Sequence, residues 1–328
     1  MKTFWKWTKR LMLGLMVLTL VLSALTYALG ASAKAKLMRE NPTPGQLVDV
    51  GGFKMHVNCT GKGSPTVILV SGLDDFSIAW SRVQPEIAKS TRVCSYDRAG
   101  LGWSDASPTP RTSENMVKEL HTLLVNANVA PPYVMVGHSF GGALAQLYIR
   151  NYPDDVVGLA LVDAAPTDLF VRVPAWGKAL DQKIGMFNTL APLSSFGLLA
   201  LSPNSIPNRG FPDDALAQYR AVSVATDYWK NTIIENEKFE TNFAAIKSAN
   251  ITGFGDLPLI VLSRGTWDAM PGLTDEENQQ ARQAWSDMQA ELLELSSNSR
   301  QVVAEKSEHF IQLYQPELVI EAILELAK

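Results

Sequence analysis

The chain has 328 residues, 46% of them hydrophobic and 19% charged, with a formal net charge of −4. That length holds one large catalytic domain or two small ones. Acidic residues outnumber basic ones, 33 to 29, and no basic stripe is present, which argues against a nucleic-acid partner.

Residues 1–10 gather Lys2, Lys6, Lys9 and Arg10 around Trp5 and Trp7. Leu11 to Gly30 then runs without a charge. Twenty helical residues span roughly 30 Å, the thickness of a bilayer's hydrocarbon core. The cations favour keeping this end in the cytoplasm, and the indoles suit the headgroup layer. Two readings follow. The segment is a single-pass membrane anchor, or it is a signal sequence cut near Ala31-Ser32-Ala33. A signal's apolar core is normally only about 7–15 residues, so length favours the anchor. Lys34, Lys36 and Arg39 follow the segment and weaken the charge asymmetry. Either reading places the rest of the chain outside the cytoplasm, at the cell membrane or, after cleavage, secreted or periplasmic.

Residues 31–45 read as a linker, Pro-rich towards its end, ahead of a domain over 46–328. Two short strand-like runs flank Gly51-Gly52, a hairpin signature. Thr66 to Val70 is continuously apolar and β-branched, as in a strand covered on both faces. Similar runs recur at Val93–Tyr96, Tyr133–Val136, Val156–Val162, Leu259–Leu262 and Gln301–Ala304. Between them, Met116, Leu120, Leu123 and Leu124 share one helical face, and Phe140–Arg150 reads as a second helix. Thr274 and Glu277 form a capping box that opens a helix to about Leu295. Leu318, Val319, Ala322, Ile323 and Leu326 mark a last amphipathic helix. Strands alternating with helices predict an α/β fold on a mostly parallel sheet. Residues 167–250 break the rhythm with helical stretches and no clear strand, and read as a helical lid insertion.

The strongest chemical signal is Gly137-His138-Ser139-Phe140-Gly141, a G-x-S-x-G set between an apolar strand and a helix. That context is the one a nucleophile elbow requires. Ser139 must sit on a sharp, strained turn, and side chains at Gly137 and Gly141 would collide there. A neutral hydroxyl needs a base. Of four histidines, His138 lies inside the motif with its side chain expected to point away, His121 sits in a helix, and His56 belongs to the early hairpin. His309 follows the last strand and so opens at the carboxyl edge of the sheet, where ligands bind in open α/β sheets. The orienting acid should lie between Ser139 and His309 in sequence. Asp268, in the loop after Leu259–Leu262, is preferred. Asp163, at the end of the preceding strand, is the alternative. For the oxyanion, the backbone amides of Phe140 and Leu73 are the candidate donors. Asp74 and Asp75 read as caps for a helix beginning near Ser77.

These motifs resemble the α/β-hydrolase superfamily, in its lid-bearing, serine-nucleophile branch, over about residues 45–328. The stretch Tyr96-Asp97-Arg98-Ala99-Gly100-Leu101-Gly102-Trp103-Ser104 is similar to the family's Asp-Arg-x-Gly-x-Gly-x-Ser loop, and Ser307-Glu308-His309 to its terminal histidine loop. Asp97 and Arg98 are expected to brace their loop rather than to do chemistry. Where many members carry His-Gly at the oxyanion loop, position 71 is Ser. Ser at position 139, and no Pro in Ser71–Ser77, argue against the epoxide hydrolases and haloalkane dehalogenases of this branch. The resemblance implies an eight-stranded, mostly parallel sheet whose order places the second and fourth strands side by side. A disulfide between Cys59 and Cys94 follows from that order in an extracytoplasmic domain. The implied activity is hydrolysis of a carboxylic ester of a small, apolar acyl substrate through an acyl-enzyme, without metal or organic cofactor. Amide, lactone or carbon–carbon bond hydrolysis, acyl transfer, and a non-catalytic binding protein on the same scaffold are the alternatives.

Overall fold

The computed structural model describes residues 2–270 and 272–328. Its centre is an eight-stranded sheet in the order β1-β2-β4-β3-β5-β6-β7-β8. The strands are β1 (Gln46–Asp49), β2 (Lys54–Thr60), β3 (Thr66–Val70), β4 (Val93–Tyr96), β5 (Tyr133–His138), β6 (Val156–Val162), β7 (Leu259–Arg264) and β8 (Ser299–Ala304). The hairpin of β1 and β2 joins antiparallel, and β4 through β8 pair in parallel. Every residue of β3, β4 and β5 is buried, as their unbroken apolar character requires.

Side-chain alternation divides the core into two layers. Ile68, Val70, Met135, Leu159 and Leu161 face one side of the sheet. There they meet α3 (Ser113–Asn126), α4 (Phe140–Asn151) and α11 (Asp275–Glu291). Val67, Leu69, Val134, Val136 and Ala160 face the other, against the single turn α2 (Gln84–Ile87) and α13 (Pro316–Leu326). Each such Val, Leu, Ile or Met side chain removed from water contributes roughly 1.5–3 kcal/mol. The Thr274–Glu277 capping box is present at the start of α11. The single turn α12 (Ile311–Tyr314) follows β8.

Between β6 and β7 the chain leaves the sheet. It forms α5 (Leu169–Arg172), α6 (Ala175–Ser195), α7 (Leu198–Leu201), α8 (Asp213–Ser223), α9 (Thr226–Glu237) and α10 (Phe239–Ser248). This insertion has its own core, built on Phe187, Leu199, Ile206, Phe211, Tyr219 and Trp229.

At the amino end, α1 runs unbroken from Lys2 to Glu40. The expected linker over 31–45 is therefore helical as far as Glu40. Ala31 to Met38 is rich in Ala, Lys, Leu and Met, strong helix formers, and Ala33 and Leu37 pack on the core of the insertion. Gly30 lies tight against Gly197: a Cβ there would lie 2.5 Å from Gly197 Cα. The hairpin of β1 and β2 is tied to the sheet covalently. Cys59 and Cys94 are cross-strand partners of β2 and β4, and their sulfurs are bonded.

Candidate active site

Ser139 stands between β5 and α4 with φ 51° and ψ −122°. A non-glycine residue there stores on the order of 1–3 kcal/mol of strain, so the surroundings must over-determine it. They do. Ser139 N donates to Val162 O at 3.2 Å, and Ser139 O accepts from Gly142 N at 2.9 Å and Ala165 N at 3.0 Å. A Cβ at Gly137 would lie 2.5 Å from Gly141 O, and one at Gly141 would run into the carbonyl of Val70 on β3. The tightness of the elbow thus extends to the neighbouring strand.

His309 lies in the turn after β8, and its Nδ1 is 2.6 Å from Asp163 Oδ2. Asp163 directly follows β6, with φ 42°, and is fully buried. It also accepts from Arg264 Nε at 2.6 Å, Arg264 N at 3.2 Å and Trp285 Nε1 at 3.0 Å. Burial alone would raise its pKa. The Arg264 charge and the bonds from His309 and Trp285 outweigh burial and hold the carboxyl down at about 2. For His309, burial and the Arg264 cation lower the pKa below 6.5 against the pull of Asp163. The imidazole is thereby kept neutral and available as a base.

The structure pairs His309 with Asp163 and not with Asp268, which sequence position had favoured. Asp268 is exposed, past the end of β7. A hydrogen bond between Asp268 and Glu308 raises the pKa of Glu308. The end of β7 sends Arg264 towards the imidazole instead, its guanidinium 4.4 Å from the ring centre of Trp285 and 4.7 Å from that of Trp267. Arg264 Nη2 comes within 2.9 Å of His309 Nδ1. An Nδ1–H serves only the carboxylate, so in that tautomer Asp163 and the indoles hold the arginine.

His138 also departs from expectation. Its ring faces His309 at 4.6 Å between centroids, and its Nε2 lies 3.0 Å from His309 O. Burial drives its pKa well below the usual value, so it is a neutral group that fixes the histidine loop.

Asp97 and Arg98, expected to brace their own loop, also hold the loop after β3. Arg98 donates to the carbonyls of Ser71 and Gly72, both at 2.6 Å, and pairs with Glu235 of α9 at 2.7 Å. Asp97 accepts from Ser77 N at 2.8 Å and Trp103 N at 2.9 Å, and pairs with His56. Asp97 therefore supplies the cap expected of Asp74 and Asp75. Those two instead bind cations of the insertion: Asp74 pairs with Lys183, and Asp75 with Arg209 at 2.9 Å. Gly72 has no room for a side chain, since a Cβ would sit 2.8 Å from His138 Nδ1.

Residues 67–322 match the family described as "Alpha/beta hydrolase family". The chain belongs to the alpha/beta hydrolase family. Over its full length the hydrolase is 23% identical to the uncharacterized protein YbdG of Bacillus subtilis, covering 99% of that protein. Among solved structures, a putative alpha/beta hydrolase from Nostoc sp. PCC 7120 superposes with a TM-score of 0.67 at 17% identity, over 86% of this chain and 96% of the other. The meta-cleavage product hydrolase CumD of Pseudomonas fluorescens IP01 gives 0.58 at 17% identity, over 87% and 97%. At these identities the likeness is one of fold.

In this hydrolase Ser139 and His309 line one cleft of about 180 Å³, with Leu73, Trp176, Leu180 and Phe239. A second chamber of about 360 Å³ lies inside the insertion, walled by Phe187, Leu190, Leu199, Ile206 and Trp229. Lys183 and Arg209 border both spaces. Sequence reasoning passed over Glu235, Arg264 and Trp285. Of these, only Arg264 left a signal, a cation closing an apolar strand.

Proposed function

We propose that this hydrolase cleaves carboxylic esters through an acyl-enzyme on Ser139, with His309 as general base and Asp163 as the acid that orients it. The observation that carries the reading is the 2.6 Å contact from His309 Nδ1 to a buried carboxylate, in the same cleft as a serine on a strained elbow. His309 Nε2 takes the Oγ proton as Oγ attacks the carbonyl carbon. The carbonyl electron pair moves onto oxygen, facing the amides of Leu73 and Phe140. As the intermediate collapses, the bond to the alcohol breaks and the alcohol leaves with the proton from His309. Water then repeats the sequence on the acyl-enzyme, which releases the acid and restores Ser139. The apolar walls of the cleft and chamber suit an apolar acyl substrate.

Single-pass anchoring by α1, with the catalytic domain outside the cytoplasm, is part of the same proposal. The uncharged span of α1 and the Cys59–Cys94 bond support it. Ser139→Ala should abolish hydrolysis of short p-nitrophenyl esters and labelling by a fluorophosphonate. Undiminished turnover would refute the assignment of the nucleophile.

A further inference from the structure

The insertion meets α1 where the uncharged span of that helix ends. Gly30 closes the stretch that begins at Leu11, and Gly30 abuts Gly197, the residue just before α7. A helix crossing the bilayer along Leu11–Gly30 therefore brings α7 to the level of the headgroups. The side chains presented there are apolar: Phe196 is 54% exposed, Leu198 41% and Leu201 46%. From Ile184 to Asn208 the chain carries no charge, and the exposed Ser195 and Ser202 flank the apolar group. Hydroxyls beside exposed leucines and a phenylalanine match the polarity gradient of a bilayer interface. Lys34 and Lys36, about one and two turns beyond Gly30 on α1, suit anionic headgroups next to that level.

The same short helix faces inward. Leu199, between Leu198 and Leu201, lines the apolar chamber of the insertion. That chamber borders Lys183 and Arg209, which also border the cleft of Ser139. α7 thus stands between the exposed apolar face and the chamber, and Lys183 and Arg209 stand where the chamber meets the cleft of Ser139.

We propose that the face formed by Phe196, Leu198 and Leu201 lies in the outer surface of the bilayer, and that the substrate is a bilayer-resident lipid ester whose acyl chain enters through the chamber behind α7. This rests on the reading of Ser139 as nucleophile and of α1 as an uncleaved anchor. The continuity of the apolar face with the anchor fixes the occupant as lipid, rather than a second copy of the chain or another protein.

Two measurements on the full chain in phosphatidylcholine proteoliposomes test it. First, Phe196→Ser, Leu198→Ser and Leu201→Ser are combined, since all three side chains are exposed and their loss leaves the core intact. Hydrolysis of a long-chain fluorogenic ester dissolved in the vesicles should fall by about tenfold or more, while turnover of soluble p-nitrophenyl butyrate stays unchanged. Equal rates on the vesicle ester would overturn the proposal and leave the esterase reading standing. Loss on both esters would also overturn it, because the face would then act on chemistry or folding. No activity of the parent chain on either ester would instead be failure of the esterase reading.

Second, both cysteines of the chain are disulfide-bonded, so Phe196→Cys offers one thiol for an environment-sensitive fluorophore. Its emission should shift to the blue and be quenched by brominated lipid. Quenching by aqueous iodide alone would place the face in water and sink the proposal. Intact mass of the protein recovered from membranes reports the anchor: cleavage after Ala33 would remove Gly30 and with it the geometry.

Discussion

Exchanging the two rival carboxylates for amides separates them sharply. Asp163→Asn keeps the shape of the side chain, but the amide can turn an N–H towards His309 Nδ1. That would force the ring proton onto Nε2 and leave no lone pair to accept from Ser139. The bond lost is 2.6 Å long, with a fully buried carboxylate as acceptor. Loss of the correct tautomer and of the imidazolium's counter-charge should lower kcat/KM by about 10³–10⁴, or roughly 4–5.5 kcal/mol of transition-state stabilisation. Arg264, with only 10% of its side chain exposed, also loses its carboxylate, which costs roughly 3–5 kcal/mol of stability. Thermal melts must therefore show the variant folded at the assay temperature. Asp268→Asn removes an exposed charge and should change kcat/KM by no more than about twofold. Stopped assays on p-nitrophenyl butyrate with both variants decide the matter. If Asp268→Asn suffers the greater loss, or Asp163→Asn keeps more than about a tenth of its activity, the orienting role of Asp163 is wrong.

Two further predictions concern the surroundings of the site. The acidic limb of the kcat/KM profile should have its midpoint below pH 6.5, because burial and Arg264 lower the pKa of His309. Arg264→Met should move that limb upward by removing the cation, and an unmoved limb would contradict this cause. The stabilisation from the Asp163 carboxylate, depressed from 3.8 to about 2, is fully present above pH 3.8 and disappears as pH falls through 2. Acid titrations followed by near-ultraviolet circular dichroism should show that loss in the parent and less of it in Asp163→Asn. Arg98→Lys keeps a charge opposite Glu235 but loses the fork that holds Ser71 O and Gly72 O. It should lower kcat by about tenfold or more with KM little changed, because the Leu73 amide is no longer fixed. A change confined to KM would show that the loop acts on binding.

The parts of the molecule that were legible in the sequence are those fixed by local pattern. β3 through β7 announced themselves as apolar runs, and Thr274 with Glu277 marked the start of α11 before any tertiary contact was known. Ser139 was legible because its strained turn demands glycines within two residues. The acid was not. Asp163 and Asp268 both follow parallel strands at the same edge of the sheet, so position along the chain ranks them poorly. The choice is made by partners 101 and 122 residues away, Arg264 and Trp285. Glu235 was invisible for the same reason: it stands 137 residues from Arg98, in an insertion whose helices carry no motif. The helical linker was misread through weight given to its prolines, which begin only after Asn41. The helix formers ahead of them, and their contact with the insertion, govern that stretch.

On the proposed ester mechanism, Arg264 bears on which alcohols can leave. In the resting site its cation balances the Asp163 anion, so the proton arriving on His309 in the transition state creates an excess positive charge. A base opposed in this way is weaker than one facing an unshared carboxylate, while its conjugate acid is correspondingly stronger. Attack on the ester is thereby made harder, and protonation of the departing oxygen easier. The balance favours esters of alkyl alcohols, whose oxygens need a strong proton donor to depart, relative to what an unopposed dyad would achieve. Across a series of esters graded by the acidity of the alcohol, the rate should consequently depend only shallowly on the leaving group.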